Sequence, residues 1–151
     1  MNKPELLAPA GNLSKLKTAI DYGADAVFLG GARLNLRAFS DNFTNEEMIE
    51  GLEYAHERGR KVYVTLNVFP HESDMAGLEG YLLSLEALGV DALIVSDPGI
   101  IMTAREVTPD MELHLSTQAN NVTQGLPHSG TGWGSRGSSS PENFPSRKSA
   151  K

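Results

Sequence analysis

Short apolar runs alternate with amphipathic stretches along the first 120 or so residues, and this alternation constrains the fold more than any other feature. Glu5-Leu6-Leu7-Ala8, Ala26-Val27-Phe28-Leu29, the stretch Val62 to Val68, Ala92-Leu93-Ile94-Val95 and Glu112 to Ser116 read as strands. Between them, Leu13, Leu16 and Ile20 recur at helical spacing, and so do Leu78, Leu82 and Leu85. Thr44-Asn45-Glu46-Glu47 is a capping box for a helix ending at Gly59, Asp74 is the expected cap of the next helix, and Asp97-Pro98 opens another that runs through Arg105. Gly23 and Gly89 stand where helices stop. Strands apolar on both faces and alternating with helices predict a parallel sheet covered by helices.

An internal repeat sharpens the expectation. Tyr22-Gly23-Ala24-Asp25-Ala26-Val27-Phe28-Leu29 matches Leu88-Gly89-Val90-Asp91-Ala92-Leu93-Ile94-Val95, 66 positions later. That interval holds two βα units of about 33 residues, close to the roughly 31 per unit of an eightfold barrel. A doubly wound sheet is the rival, but no Gly-rich dinucleotide turn is present. The expectation is an α/β chain forming an incomplete TIM-like (βα) barrel of four to five units with parallel strands.

Charge divides the chain in two. Residues 1–123 carry 9 basic and 18 acidic side chains, whereas 124–151 carry 4 basic and 1 acidic. An acidic body argues against broad electrostatic binding of nucleic acid, although a local basic patch is compatible with it. The absence of cysteine excludes disulfides, a thiolate nucleophile and a cysteine-held metal or cluster. No signal-peptide pattern and no apolar run of about 18 residues is visible, so the reading is cytoplasmic, with no membrane partner.

In parallel βα folds ligands bind at the carboxyl ends of strands. Those positions hold Asn12, Gly30, Gly31, Arg37, Asn67, His71, Asp97, Ser116, Thr117, Gln118 and Asn120, which together define the candidate pocket. Arg37 is the best anion-binding candidate, because a forked guanidinium suits carboxylate or phosphate. Asp97 is either a helix cap or an acid–base group, and His71 either solvated or functional. His56 reads as a surface residue and His114 as a hydrogen-bonded core residue. No HExxH, Walker, GxSxG or Ser/His/Asp pattern occurs, so no catalytic residue and no metal site is assigned.

Six blocks carry a family resemblance: Pro4 to Asn12, Gly23 to Gly31, Asn35 to Phe39, Val64 to Asn67, Ser96 to Gly99 and His114 to Asn120. Residues 4 to about 122 resemble the beginning of the collagenase-like peptidases, peptidase family U32. The resemblance implies a barrel-like N-terminal half and a protease of unassigned mechanism. Some members are instead similar to RNA-hydroxylation proteins acting on tRNA or ribosomal RNA, or to quinone-hydroxylation factors. It also implies iron–sulfur cysteines further along than this chain's likeness to the family extends, so no cofactor is expected here.

From Gln124 on, Ser, Gly and Pro dominate and no helical or strand period is visible. Gly132 to Lys151 can be back-translated with synonymous codons so that the third-base frame reads Leu-Gly-Val-Glu-Gly-Phe-Val-Leu-Ala-Arg-Glu-Leu-Ser-Leu-Glu-Glu-Ile-Arg-Glu, a strand followed by a capped helix start. The tail is thus read as a disordered segment, out of frame after a slip near residue 123 or else native. The functional expectation is a truncated U32-type peptidase, inactive as this fragment. The alternative is an RNA hydroxylation factor of the same family. Expected partners are a peptide or small carboxylate, RNA in the alternative, and further copies of the chain through open sheet edges.

Overall fold

The computed structural model describes residues 4–31, 43–66 and 76–116. These hold five strands, β1 (Leu7–Pro9), β2 (Ala26–Gly30), β3 (Lys61–Leu66), β4 (Ala92–Val95) and β5 (Glu112–Leu115). Four helices alternate with them: α1 (Leu13–Asp21), α2 (Asn45–His56), α3 (Leu78–Leu88) and α4 (Pro98–Val107).

Local chemistry explains the helix boundaries. Asn12 caps α1, its Oδ1 accepting from Lys15 N at 2.9 Å. Thr44 and Glu47 close the reciprocal capping box of α2, with Thr44 N donating to Glu47 Oε2 at 3.0 Å and Glu47 N to Thr44 Oγ1 at 3.2 Å. The cap of α3 corrects the sequence expectation. Asp74 lies outside the described residues, and the N-cap position belongs to Gly77 in a left-handed conformation, φ 80°, with no side-chain cap. Pro98 fills the first turn of α4.

All pairings are parallel, and the strand order β1-β2-β3-β4-β5 follows the chain. An order that never reverses, with crossovers of one hand, puts every helix on the same side of the sheet. The packing agrees. Val27, Leu29, Val62, Val64, Leu66, Leu93, Val95 and Leu113 meet Leu16, Ile20, Met48, Leu52, Leu82, Leu85, Ile100 and Ile101 in one buried cluster. Each such side chain contributes about 1.5–3 kcal/mol by leaving water. The opposite face carries Ala26, Tyr63 and Ala92, flanked by Phe28 and Ile94, and among the described residues none from a helix joins that cluster. A sheet wound in one direction with helices on one face is the arrangement of a TIM barrel opened along its length, not of a doubly wound sheet. The expectation of strands apolar on both faces needs qualifying, because the face away from the helices also bears Lys61, Thr65, Glu112 and His114.

The internal repeat has a structural counterpart at the amino ends of the strands. Gly23 (φ 100°) and Gly89 (φ 84°) turn the chain out of α1 and α3 with positive φ, which glycine adopts at little cost. Asp25 Oδ2 then accepts from Leu6 N at 3.0 Å, just before β1, and Asp91 Oδ2 accepts from Val62 N at 2.7 Å in β3. Each carboxylate also takes a side-chain partner. Arg60 Nη1 reaches Asp25 Oδ1 at 2.6 Å, and His56 Nε2 lies 2.9 Å from Asp91 Oδ2. Each repeat therefore ties the start of one strand to its neighbour.

Candidate functional site

The carboxyl ends of the five strands lie side by side along one rim. Pairing continues past β5, where Ser116 N donates to Val95 O at 2.7 Å. The register sets Leu66, Val95 and Leu115 level, and Gly30 beside Thr65. By alternation, Ser96 and Ser116 share the helix-free face with Ile94 and His114. Of the candidate residues, Asn12, Gly30, Gly31, Asp97 and Ser116 fall on this rim. Arg37, Asn67, His71, Thr117, Gln118 and Asn120 lie outside the described residues.

Two of the polar candidates are engaged in capping. Asp97 Oδ1 accepts from Gly99 N at 2.8 Å and Ile100 N at 3.1 Å, so its carboxylate serves the first turn of α4. Asn12 serves α1 in the same way. Neither is held as a free nucleophile or base. The first helical turns bring further charge to the rim: Glu46 and Glu47 on α2, Glu79 on α3, and Lys15 on α1. Sequence reasoning passed over Lys15. A Cβ placed on Gly11 would lie 3.8 Å from both Lys15 Cδ and Nζ, so the ammonium folds back over the end of β1. The signal was available, since a lysine three residues past an N-cap after a strand must lie near that strand's carboxyl end.

Gly31 is buried, and its neighbour was also missed. Tyr81 of α3 places its hydroxyl oxygen against the Gly31 backbone. Its position three residues after Leu78 and one before Leu82 puts it beside the buried stripe, which was the sequence signal.

A second polar group occupies the helix-free face nearer the amino ends. Tyr63 donates its hydroxyl to Glu5, 2.8 Å from Oε1 and 3.0 Å from Oε2. Its ring meets that of His114 at a tilt of 35°, with centroids 4.8 Å apart. Burial, then the hydrogen bond to Glu5, pushes the Tyr63 hydroxyl well above its ordinary range. His114 corrects one expectation. It is half-buried, and its Nε2 lies 3.2 Å from Glu112 Oε1 in an orientation that makes no hydrogen bond. His56 is at the surface as expected, with Asp91 as its partner.

Among the described residues no group of three or more His, Asp or Glu side chains could hold a metal ion. With no cysteine in the chain, the thiolates that an iron–sulfur cluster needs are not supplied by its own residues. Also among the described residues, no helix is long and apolar enough to cross a membrane.

Fold and rim together define a TIM-barrel-type protein with its candidate site at the carboxyl ends of the strands. More particularly, the chain belongs to peptidase family U32, whose profile matches residues 11–125. It is 59% identical over 116 residues to the tRNA hydroxylation protein P1 of Bacillus subtilis, covering 77% of this chain and 28% of that protein. It is 36% identical over 121 residues to a collagenase of Porphyromonas gingivalis, covering 80% of this chain and 29% of that protein. The chain thus spans less than a third of the length of either relative. A solved U32 peptidase superposes with a TM-score of 0.61 at 17% identity, over 79% of this chain and 51% of that one, which shows a shared fold.

Proposed function

We propose that this chain is the N-terminal barrel portion of a tRNA hydroxylation factor, its strand-end rim taking a small polar ligand. The observation that carries this reading is the 59% identity to the Bacillus subtilis tRNA hydroxylation protein, against 36% to the collagenase. The geometry supports it from a second direction. Asp97 and Asn12 are committed to helix caps, so neither is poised as the base of a peptide-hydrolysing pair. The same rim carries Glu46, Glu47 and Glu79 beside Lys15, a poor surface for an RNA backbone. RNA contact is therefore assigned to the portions of the relatives that this chain does not span.

The test is a chimera. Residues 1–122 replace the matching part of the Bacillus subtilis protein in a strain lacking the native gene, and tRNA digests are read by mass spectrometry. Restored hydroxylation is the expected result. A folded, expressed chimera that leaves tRNA unmodified overturns the reading. Gelatin cleavage by the purified 151-residue chain, lost on D97A, would support the peptidase reading in its place.

A further inference from the structure

We propose that Tyr81 is a positioning residue of the strand-end rim, its hydroxyl seated on the backbone of Gly31 so that the chain leaves β2 in a single direction. The inference rests on the reading of the rim as the site, and adds a residue that lies on a helix of another βα unit.

Gly31 is not required by backbone conformation. Positive φ occurs at Gly23, Gly59, Gly77 and Gly89, and Gly31 is not among them. What demands glycine is close approach. A Cβ built there would overlap Tyr81 Oη, and would stand 3.3 Å from both Tyr81 Cζ and Val64 Cγ1. The hydroxyl thus fills the space that any larger residue at position 31 would need, and its oxygen is shielded from solvent. The backbone that carries Tyr81 is held firmly. Its helix is anchored by Leu78, Leu82 and Leu85, all buried, and Tyr81 N continues the helix by donating to Gly77 O at 3.1 Å. The ring reaches past Val64 of β3 to the end of β2, so a rigid element of one βα unit fixes the strand exit of the preceding one. Sites held by such elements keep their geometry better than sites on unsupported loops.

The test compares the 151-residue chain with Y81F, G31A and G31A/Y81F. Overpacking a buried site is destabilising, and G31A alone is expected to lower Tm by about 5 °C. Y81F removes only the overlapping oxygen, so the double variant is expected to recover most of that loss. Trypsin cleavage after Arg33, two residues past Gly31, reports the strand exit, and cleavage after Arg60 reports global opening. Y81F is expected to quicken cleavage at Arg33 several-fold relative to Arg60, and the added methyl of G31A/Y81F to reverse this. A double variant no more stable than G31A overturns the proposal. So does cleavage at Arg33 that rises only in step with Arg60. Both readouts are independent of tRNA chemistry. A chimera that fails to hydroxylate therefore counts against the functional reading alone, whereas a failed rescue counts against Tyr81.

Discussion

Asp91 shows how much one carboxylate can organise. It accepts the Val62 N–H at the start of β3 and faces His56 from the end of α2. D91A leaves a backbone donor of a buried strand residue without its acceptor, at a cost of about 1–3 kcal/mol. H56A removes only a half-exposed partner and should cost well under half as much. Chemical denaturation of the two variants checks the order, and equal losses would contradict it. Tyr63 makes a prediction about pH. Its folded-state ionisation is displaced upward by burial and by Glu5, so the stability it contributes is complete below the ordinary tyrosine range near 10 and is lost as pH climbs beyond it. Thermal melts should therefore fall steeply in alkali for the parent and less steeply for Y63F. The sequence held a hint of Tyr63, since Lys61, Tyr63 and Thr65 alternate with Val62, Val64 and Leu66. That period of two marks a strand with one apolar and one mixed face, and it was hidden by reading the run as apolar throughout.

At the scale of elements, the sequence marked nearly every boundary, because helix and strand signals are local. The capping box at Thr44, the Asp97-Pro98 start and the glycines after α1 and α3 each act within four residues of their own position. The cap of α3 was misread because aspartate is the commoner cap, while a left-handed glycine leaves only a weak trace in sequence. How helices press together was not legible. α1 and α2 approach closely at Gly51, where a Cβ would stand 2.9 Å from Leu16 Cδ1 and 3.6 Å from Leu13 Cδ1. G51A gains about 1 kcal/mol of helix propensity but forces a fully buried leucine aside, at about 1–3 kcal/mol. The second effect wins, and a net loss near 1 kcal/mol is expected in denaturant titration. A more stable G51A would show that Leu16 yields freely.

For the whole molecule, the unreversed strand order is the decisive fact, since it puts all four described helices on one face and leaves the other to close a barrel. Leu6, just before β1, and Leu7, its first residue, are 55% and 38% exposed at the outer edge of the described sheet. An edge of this kind invites pairing with another strand, within a longer chain or from another copy. We further propose that residues 124–151 are read out of frame. The gene should then carry, across the codons of Gly132 to Lys151, bases that spell Leu-Gly-Val-Glu-Gly-Phe-Val-Leu in the third-base frame. Sequencing decides this, and incompatible codons would make the segment a native Ser/Gly/Pro-rich tail.

By itself, the sequence determined the alternation of elements and the parallel barrel-type sheet. Each follows from periodicity, caps and turns, which are short-range and leave their pattern in adjacent residues. Only the tertiary structure decided that Asp25 and Asp91 tie neighbouring strands, that Tyr63 meets Glu5 and His114, and that Tyr81 rests on Gly31. Most of those contacts join residues tens of positions apart. Their partners are chosen by how the elements pack in space, and no local pattern in the chain encodes that choice.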